Sequence, residues 1–305
     1  MNAVRTKCVS AVQSMMCRGW FIFACVSCTS VETVDLGRAS PPFGPFDKPH
    51  LVSEICTQGI NTNPSLTSDL LEIYFTSDRP GGLGQGDIWV AQRATPTGVF
   101  DTPSLVSTIN SANSETSPAI SGDGLTLWFS SDRAGTLGGF DIWISTRADR
   151  QSAWTTPINV PELNTASDEI PRPVGDHGLQ MPLANDNANK SYQNYMTSRT
   201  SLTSPWSKPQ IISELLRPNA STVDGFLTDD GLMLIFNVEP TTVRNSDLYR
   251  AWRYGPTESF SSPVPLTDIN TTFMERDPWL SPQGDQFFFS SDRDGAFNIY
   301  EANAI

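Results

Sequence analysis

The sequence predicts an all-β fold of five four-stranded blades, a β-propeller closed into a ring by its own N-terminal strand. Three observations carry this. Residues 71–79, 125–133 and 286–293 are near-copies that each end in Ser-Asp-Arg. Aligned on the aromatic before that turn, Phe75, Phe129, Leu183, Phe236 and Phe289 recur at intervals of 54, 54, 53 and 53 residues. Finally, residues 46–55 repeat residues 100–109, the segment that joins the first unit to the second. Fixed-period self-similarity means one supersecondary unit stacked several times.

The second unit shows the pattern in full. Residues 115–121 read as a first strand, and Gly122-Asp123-Gly124 as a tight turn supplied with residues that tolerate positive φ. Residues 125–130 form the second strand, 132–139 a long glycine-containing loop, 141–147 the third strand, and 154–160 open the fourth. Four antiparallel strands per unit of this length describe a propeller blade. The second strands show little apolar/polar alternation, as expected where neighbouring blades cover both faces. The chain opens with a fourth strand and ends just after a third, so joining the two closes the ring and removes two free edges. Units three and four are degenerate: residues 184–187 and 237–240 replace Ser-Ser-Asp-Arg.

Composition agrees. The 305 residues include 23 Pro and 21 Gly, which suits many short strands and turns. A net charge of −13 argues against nucleic acid and against docking on anionic lipid, both of which need a basic footprint. Residues 1–28 differ from the rest. Arg5, Lys7 and Arg18 precede the apolar run 20–26, and no acid occurs there. This is the pattern of a secretory signal, too short to span a bilayer stably. Cys25-Val26-Ser27-Cys28 resembles a bacterial lipoprotein box, which makes Cys28 a candidate for lipidation and a lipid anchor; residues 22–25 form a second candidate box ending at Cys25. The domain reading is therefore a signal peptide over 1–28, a linker over 29–45 and the propeller over 46–305. Four of the five cysteines fall in the leader. Cys56 is left alone in the body, so no intramolecular disulfide staples the fold.

The run Pro118, Ser121, Asp123, Gly124, Phe129, Ser131 to Arg133 and Asp141 to Trp143 resembles the WD-repeat-like propeller units of the TolB type. The resemblance covers about residues 46–305. It implies an exported propeller that binds proteins, and it carries over no catalytic residue.

The repeated Asp78, Asp132 and Asp292 are expected to accept backbone N–H bonds within their own loops, with the following arginines pairing across to a neighbouring blade. Asp87, Asp141 and Asp247, at the start of the third strands, have the same structural explanation. The aromatics Trp89, Trp143, Tyr195, Tyr249 and Tyr300 read as packing between blades. Specific function should lie where the units differ. The position of Glu115 holds Asn61, Glu169, Thr222 and Glu275 in the other units, and that of Pro118 holds Pro64, Arg172, Gly225 and Pro278. Innermost strands line a propeller's channel, so Glu115, Glu169, Arg172, Asp224 and Glu275 are the expected binding residues. The channel mouth and the loops of units three and four, including residues 186–190 and Arg244, complete the expected surface. Glu115→Gln combined with Glu275→Gln is then expected to leave folding intact.

These features favour a non-catalytic binding or scaffold protein of the cell envelope, periplasmic or lipid-anchored, monomeric, with a protein or peptidoglycan-associated partner. The alternative is a glycan-binding or glycoside-hydrolysing propeller using Glu115, Glu169 and Glu275, since paired carboxylates can divide into acid and base. Other chemistries lack their residues. There are two histidines, no Gly-x-Ser-x-Gly elbow and no Cys/His cluster with zinc spacing, and the glycine-rich stretch 81–86 precedes no helix. Neither a metal nor a cofactor is expected.

Overall fold

The computed structural model of the protein describes residues 43–186 and 191–305. The leader, both candidate lipoprotein boxes and residues 187–190 lie outside them. The described chain forms five four-stranded antiparallel sheets, a five-bladed β-propeller. Following the short strand β1 (His50–Leu51), blade 1 comprises β2 (Asn61–Leu66), β3 (Glu72–Ser77), β4 (Asp87–Gln92) and β5 (Ser104–Leu105). Blade 2 comprises β6 (Glu115–Ile120), β7 (Thr126–Ser131), β8 (Asp141–Thr146) and β9 (Ile158–Asn159). Blade 3 holds β10 (Glu169–Pro171), β11 (Gln180–Asp186), β12 (Tyr192–Ser198) and β13 (Gln210–Ile211). Blade 4 holds β14 (Ala220–Leu227), β15 (Met233–Pro240), β16 (Asp247–Trp252) and β17 (Val264–Pro265). Blade 5 has three strands of its own, β18 (Glu275–Leu280), β19 (Gln286–Ser291) and β20 (Asn298–Asn303).

Strand β1 supplies the missing fourth strand. His50 pairs with Glu301 and Leu51 with Tyr300, and a further bridge joins Phe46 to Ala304. Asp47 N–H donates to the Asn303 carbonyl at 2.8 Å, and Asn303 N–H returns to Asp47 Oδ1 at 2.8 Å. The last blade thus has no free edge at its outer strand.

The apolar core lies between blades. One cluster joins Tyr74, Ile88 and Ile109 of the blade 1 side to Leu127, Phe129 and Trp143 of blade 2. Another joins Trp128 and Ile142 of blade 2 to Met181, Leu183 and Trp206 of blade 3. Every residue of β19 is buried, because blades cover both of its faces. A fully buried phenylalanine such as Phe289 contributes about 1.5–3 kcal/mol relative to exposure.

The innermost strands are not regular. Four carry a bulge whose first residue takes positive φ: Asn63 (55°), Ser117 (53°), Asp224 (58°) and Asp277 (53°). In three of them the next residue is Pro64, Pro118 or Pro278, which has no N–H to give a ladder and so fits a bulge. Asn and Asp tolerate the left-handed region better than most residues. Blade 3 departs from this: β10 is three residues long and Arg172 follows it in place of the proline.

Candidate functional site

The bulges set the site, because each displaces one side chain from its sheet. Arg172, 5% exposed, is the centre. Its Nη2 pairs with Asp224 Oδ1 and lies 3.1 Å from Asp277 Oδ1. Asp277 also accepts from Asn63, at 2.7 Å from Nδ2 and 3.2 Å from the backbone N–H. Thr116 Oγ1 lies 3.4 Å from Asn63 Oδ1 and 3.5 Å from Ser117 Oγ. First-strand residues of all five blades therefore meet in one polar network. Burial pulls the arginine's pKa down while Asp277 opposes the shift. Among the described residues, Arg172 Nε has no partner.

Above this floor opens a cleft of about 250 Å³, whose rim includes Thr62, Tyr192, Glu239, Arg276 and Phe297. Arg276 Nη2 lies 2.9 Å from Glu239 Oε1, and its guanidinium sits 5.1 Å from the Phe297 ring centroid. Burial raises the Glu239 carboxyl above its ordinary range, opposed by Arg276 and reinforced by Asp277. Tyr192 donates to Asp168 Oδ2 at 2.9 Å, and burial raises its phenol.

Of the expected site residues, the structure brings together Arg172 and Asp224. It places Glu115, Glu169 and Glu275 elsewhere, each completely buried inside its own blade. Glu115 accepts from Ser111 N–H, Ser111 Oγ and Ser131 Oγ, all at 2.7 Å, and pairs with Arg133 at 2.9 Å. Glu275 repeats this arrangement with Thr271, Ser291 and Arg293, the last at 3.0 Å. Glu169 accepts from Thr165 N–H at 3.0 Å, from Thr165 Oγ1, and from Asn185 Nδ2 at 2.6 Å. The position opening a first strand thus points back into the loop that enters the blade, and the bulge residue two or three places on points to the axis.

Asp277, Asn63, Glu239 and Arg276 are the site residues that sequence reasoning missed. The signal for Asn63 and Asp277 was the Asn-Pro and Asp-Pro dipeptides inside apparent strands, which mark a turn-like backbone. Of the loop surface, Asp186 accepts from Asp168 N–H at 2.9 Å, and Arg244 is exposed at 4.0 Å from Asp292. The repeated aspartates accept backbone N–H bonds, but not from their own loops as expected: Asp78, Asp132 and Asp292 accept from Ile60, Ser114 and Met274, each 18 residues earlier where the chain enters the blade. The arginines after them do reach the preceding blade, Arg79 at the Ile55 carbonyl, Arg133 at Ile109 and Arg293 at Ile269, but through a backbone oxygen rather than a counter-ion. Arg133 donates to the Ile109 carbonyl and to its own blade's Glu115, and sits over Phe129 and Trp143. The glutamate at the blade's own entrance is its counter-ion. Among the described residues, no group of three His, Cys, Asp or Glu side chains is placed to hold a metal ion.

No protein-family model and no curated protein sequence matches this chain. Solved structures do. The endo-arabinase of Bacteroides thetaiotaomicron is 11% identical, with 84% of this chain and 98% of that one aligned at a TM-score of 0.56. A thermostable family-43 glycoside hydrolase is 10% identical over 83% and 91% of the two chains, at a TM-score of 0.57. TolB of Acinetobacter baumannii is 16% identical over 80% of this chain and 55% of its own length, at 0.48. At these identities the likeness is one of fold.

Proposed function

We propose that the chain is a non-catalytic binding propeller of the cell envelope that offers its axial cleft to a protein or peptidoglycan-associated partner. The observation that carries this reading is the double engagement of Arg172. Retaining and inverting glycosidases both need two separable carboxyl groups, one of them protonated. At the floor of this cleft a single guanidinium binds both Asp224 and Asp277, so the two carboxyl groups share one partner instead of standing apart as acid and base. The half-buried rim, with its Glu239–Arg276 pair, hydroxyls and one aromatic face, suits hydrogen-bonded recognition. Export and the Cys28 anchor rest on the leader's composition.

Glycan hydrolysis is the second reading. Glu239, the rim carboxyl that burial inclines to hold a proton, lies close enough to Asp277 to feel its charge, and the fold is shared with an arabinase and a family-43 hydrolase. One experiment separates the two. Immobilised wild-type protein and Arg276→Glu are exposed to envelope extract, while both are assayed for reducing-sugar release from a panel of polysaccharides. Binding predicts a partner retained by the wild type, lost by the variant, and no sugar release. Sugar release abolished by Asp277→Asn would overturn the binding reading.

A further inference from the structure

The opposite ends of the blades carry a second repeated contact, and it lapses at one place. An arginine follows the third strand in four blades: Arg93, Arg147, Arg199 and Arg253. Each donates Nε to a backbone carbonyl at its own blade's first hairpin, Leu70, Gly124, Gly178 and Gly231, at 2.6–2.8 Å. Each also covers an aromatic ring, Phe100, Trp154, Trp206 or Phe260, at 4.4–4.7 Å. In three of them Nη2 then crosses to the preceding blade and meets the first residue of its second strand. Arg93 reaches Gln286 at 3.0 Å, Arg147 reaches Glu72 at 2.6 Å, and Arg253 reaches Gln180 at 2.5 Å.

Blade 3 breaks the series. The residue facing Arg199 is Thr126, the first of β7, whose side chain is too short to reach across. Arg199 donates Nε to Gly178 and Nη1 to Leu202, and among the described residues no carboxylate or carboxamide meets Nη2. Where the crossing contact would lie there is a cavity of about 490 Å³, lined by Thr126, Arg199 and the apolar Trp128, Ile144, Val174 and Leu202. Two aspartates stand at its edge and both already have partners. Asp229 lies 3.2 Å from His177 Nδ1, and Asp123 accepts from Ser121 Oγ and Leu125 N–H. Burial alone depresses the Arg199 pKa, with no acid opposing it.

We propose that this groove between blades 2 and 3 binds a carboxylate carried on an apolar body, with Arg199 receiving the carboxylate in the place that Glu72 occupies toward Arg147. A guanidinium fork matches a carboxylate in shape and charge, and the apolar walls receive the remainder of the ligand. Two sources share this chemistry: a free hydrophobic acid, or the C-terminus of a peptide ending in an apolar residue.

The test uses N-acetyl-leucine, its primary amide, and a pentapeptide ending in leucine, titrated into the full chain by calorimetry. The expected result is saturable binding of the acid at least tenfold tighter than the amide. Thr126→Glu supplies the missing crossing partner, so it should abolish acid binding without lowering Tm. Leu202 is exposed, so Leu202→Glu puts a competing carboxylate into the cavity with no core to disturb, and it should also abolish binding. Tighter binding by the pentapeptide assigns the site to peptide termini, and equal binding assigns it to free acids. Absence of saturable binding, equal affinity for the amide, or undiminished binding in the folded variants overturns the proposal.

Discussion

Blades 2 and 3 carry a glutamate at the same position, and its surroundings differ by one charge. Glu115 meets Arg133, which in turn rests on Phe129 and Trp143. Glu169 keeps the hydroxyl and backbone donors, but among the described residues no arginine or lysine pairs with it, and the sequence has Asn187 at the repeat position of Arg133. The consequence is visible in its acidity. Burial pushes the Glu169 carboxyl up to about 7, with Thr165 opposing. A repeat unit can therefore preserve its shape while losing the charge that balances it. The same lapse recurs at the other end of blade 3, where Arg199 has lost the acceptor that Arg147 keeps.

The comparison is broken most severely in blade 2. Glu115→Ala leaves Arg133 half-wrapped in aromatic rings without its anion, and removing one partner of a buried pair costs about 3–5 kcal/mol. Chemical denaturation should show that loss. Adding Glu275→Ala should lower stability further, since the two sit in separate blades and their effects add. The expectation that Glu115→Gln with Glu275→Gln leaves folding intact placed both residues at the axis, whereas the structure buries them at the blade entrances. A stable double alanine variant would show that the contacts at the blade entrances do not hold the blades.

Blade 3 responds to pH instead. The native value of Glu169 lies above its ordinary 4.5, so the folded state binds this proton more tightly than the unfolded state does. Its contribution to stability is complete below about pH 4.5 and is lost as pH rises through about 7. Glu169→Gln should flatten the decline in Tm between pH 5 and pH 8. An unchanged pH profile in the Glu169→Gln variant would show that this carboxyl does not carry the decline.

Much of the fold was legible because propeller geometry depends on repetition, and repetition is written in residues such as Phe75, Phe129 and Phe289. Ring closure was equally open to reading, since 46–55 copies 100–109. The axial site was legible only in part. Arg172 and Asp224 stood out as departures from the repeat, but Asp277 was hidden because it sits inside a regular-looking Arg-Asp-Pro-Trp strand. Alternation along a strand assigns faces correctly only while the ladder is unbroken, and a bulge turns every later side chain. The arginine series at the far end was missed for another reason. Its acceptors Glu72, Gln180 and Gln286 differ in charge, so no conspicuous motif marks them.

At the axis, Asp277→Asn tests whether both carboxylates are needed to hold Arg172. The amide oxygen can still accept from Asn63, and Asp224 still pairs with the guanidinium, so the loss should be about 1–2 kcal/mol. Asp224→Asn should cost a similar amount, and the double variant more than the sum, because Arg172 would then be buried without an anion. Additive behaviour in a double-mutant cycle would show that the two aspartates act independently.

The smallest effect belongs to the contact between blades 1 and 2 that lies nearest solvent. Arg150 Nη1 meets Asp69 Oδ2 at 2.6 Å, with the two side chains 24% and 42% exposed. The Arg147–Glu72 pair joins the same blades at the same 2.6 Å with side chains 6% and 5% exposed. Equal distances conceal unequal energies, because water and salt screen the outer pair while the inner one has already lost its hydration. Arg150→Ala should cost at most about 1 kcal/mol and lose its effect as salt is raised, whereas Arg147→Ala should cost several times more at any ionic strength. Stability measured for both variants at low and high salt decides the matter. Comparable, salt-sensitive losses would mean that the inner arginines are ordinary surface contacts, and the missing partner of Arg199 would then carry no more weight than a missing surface charge.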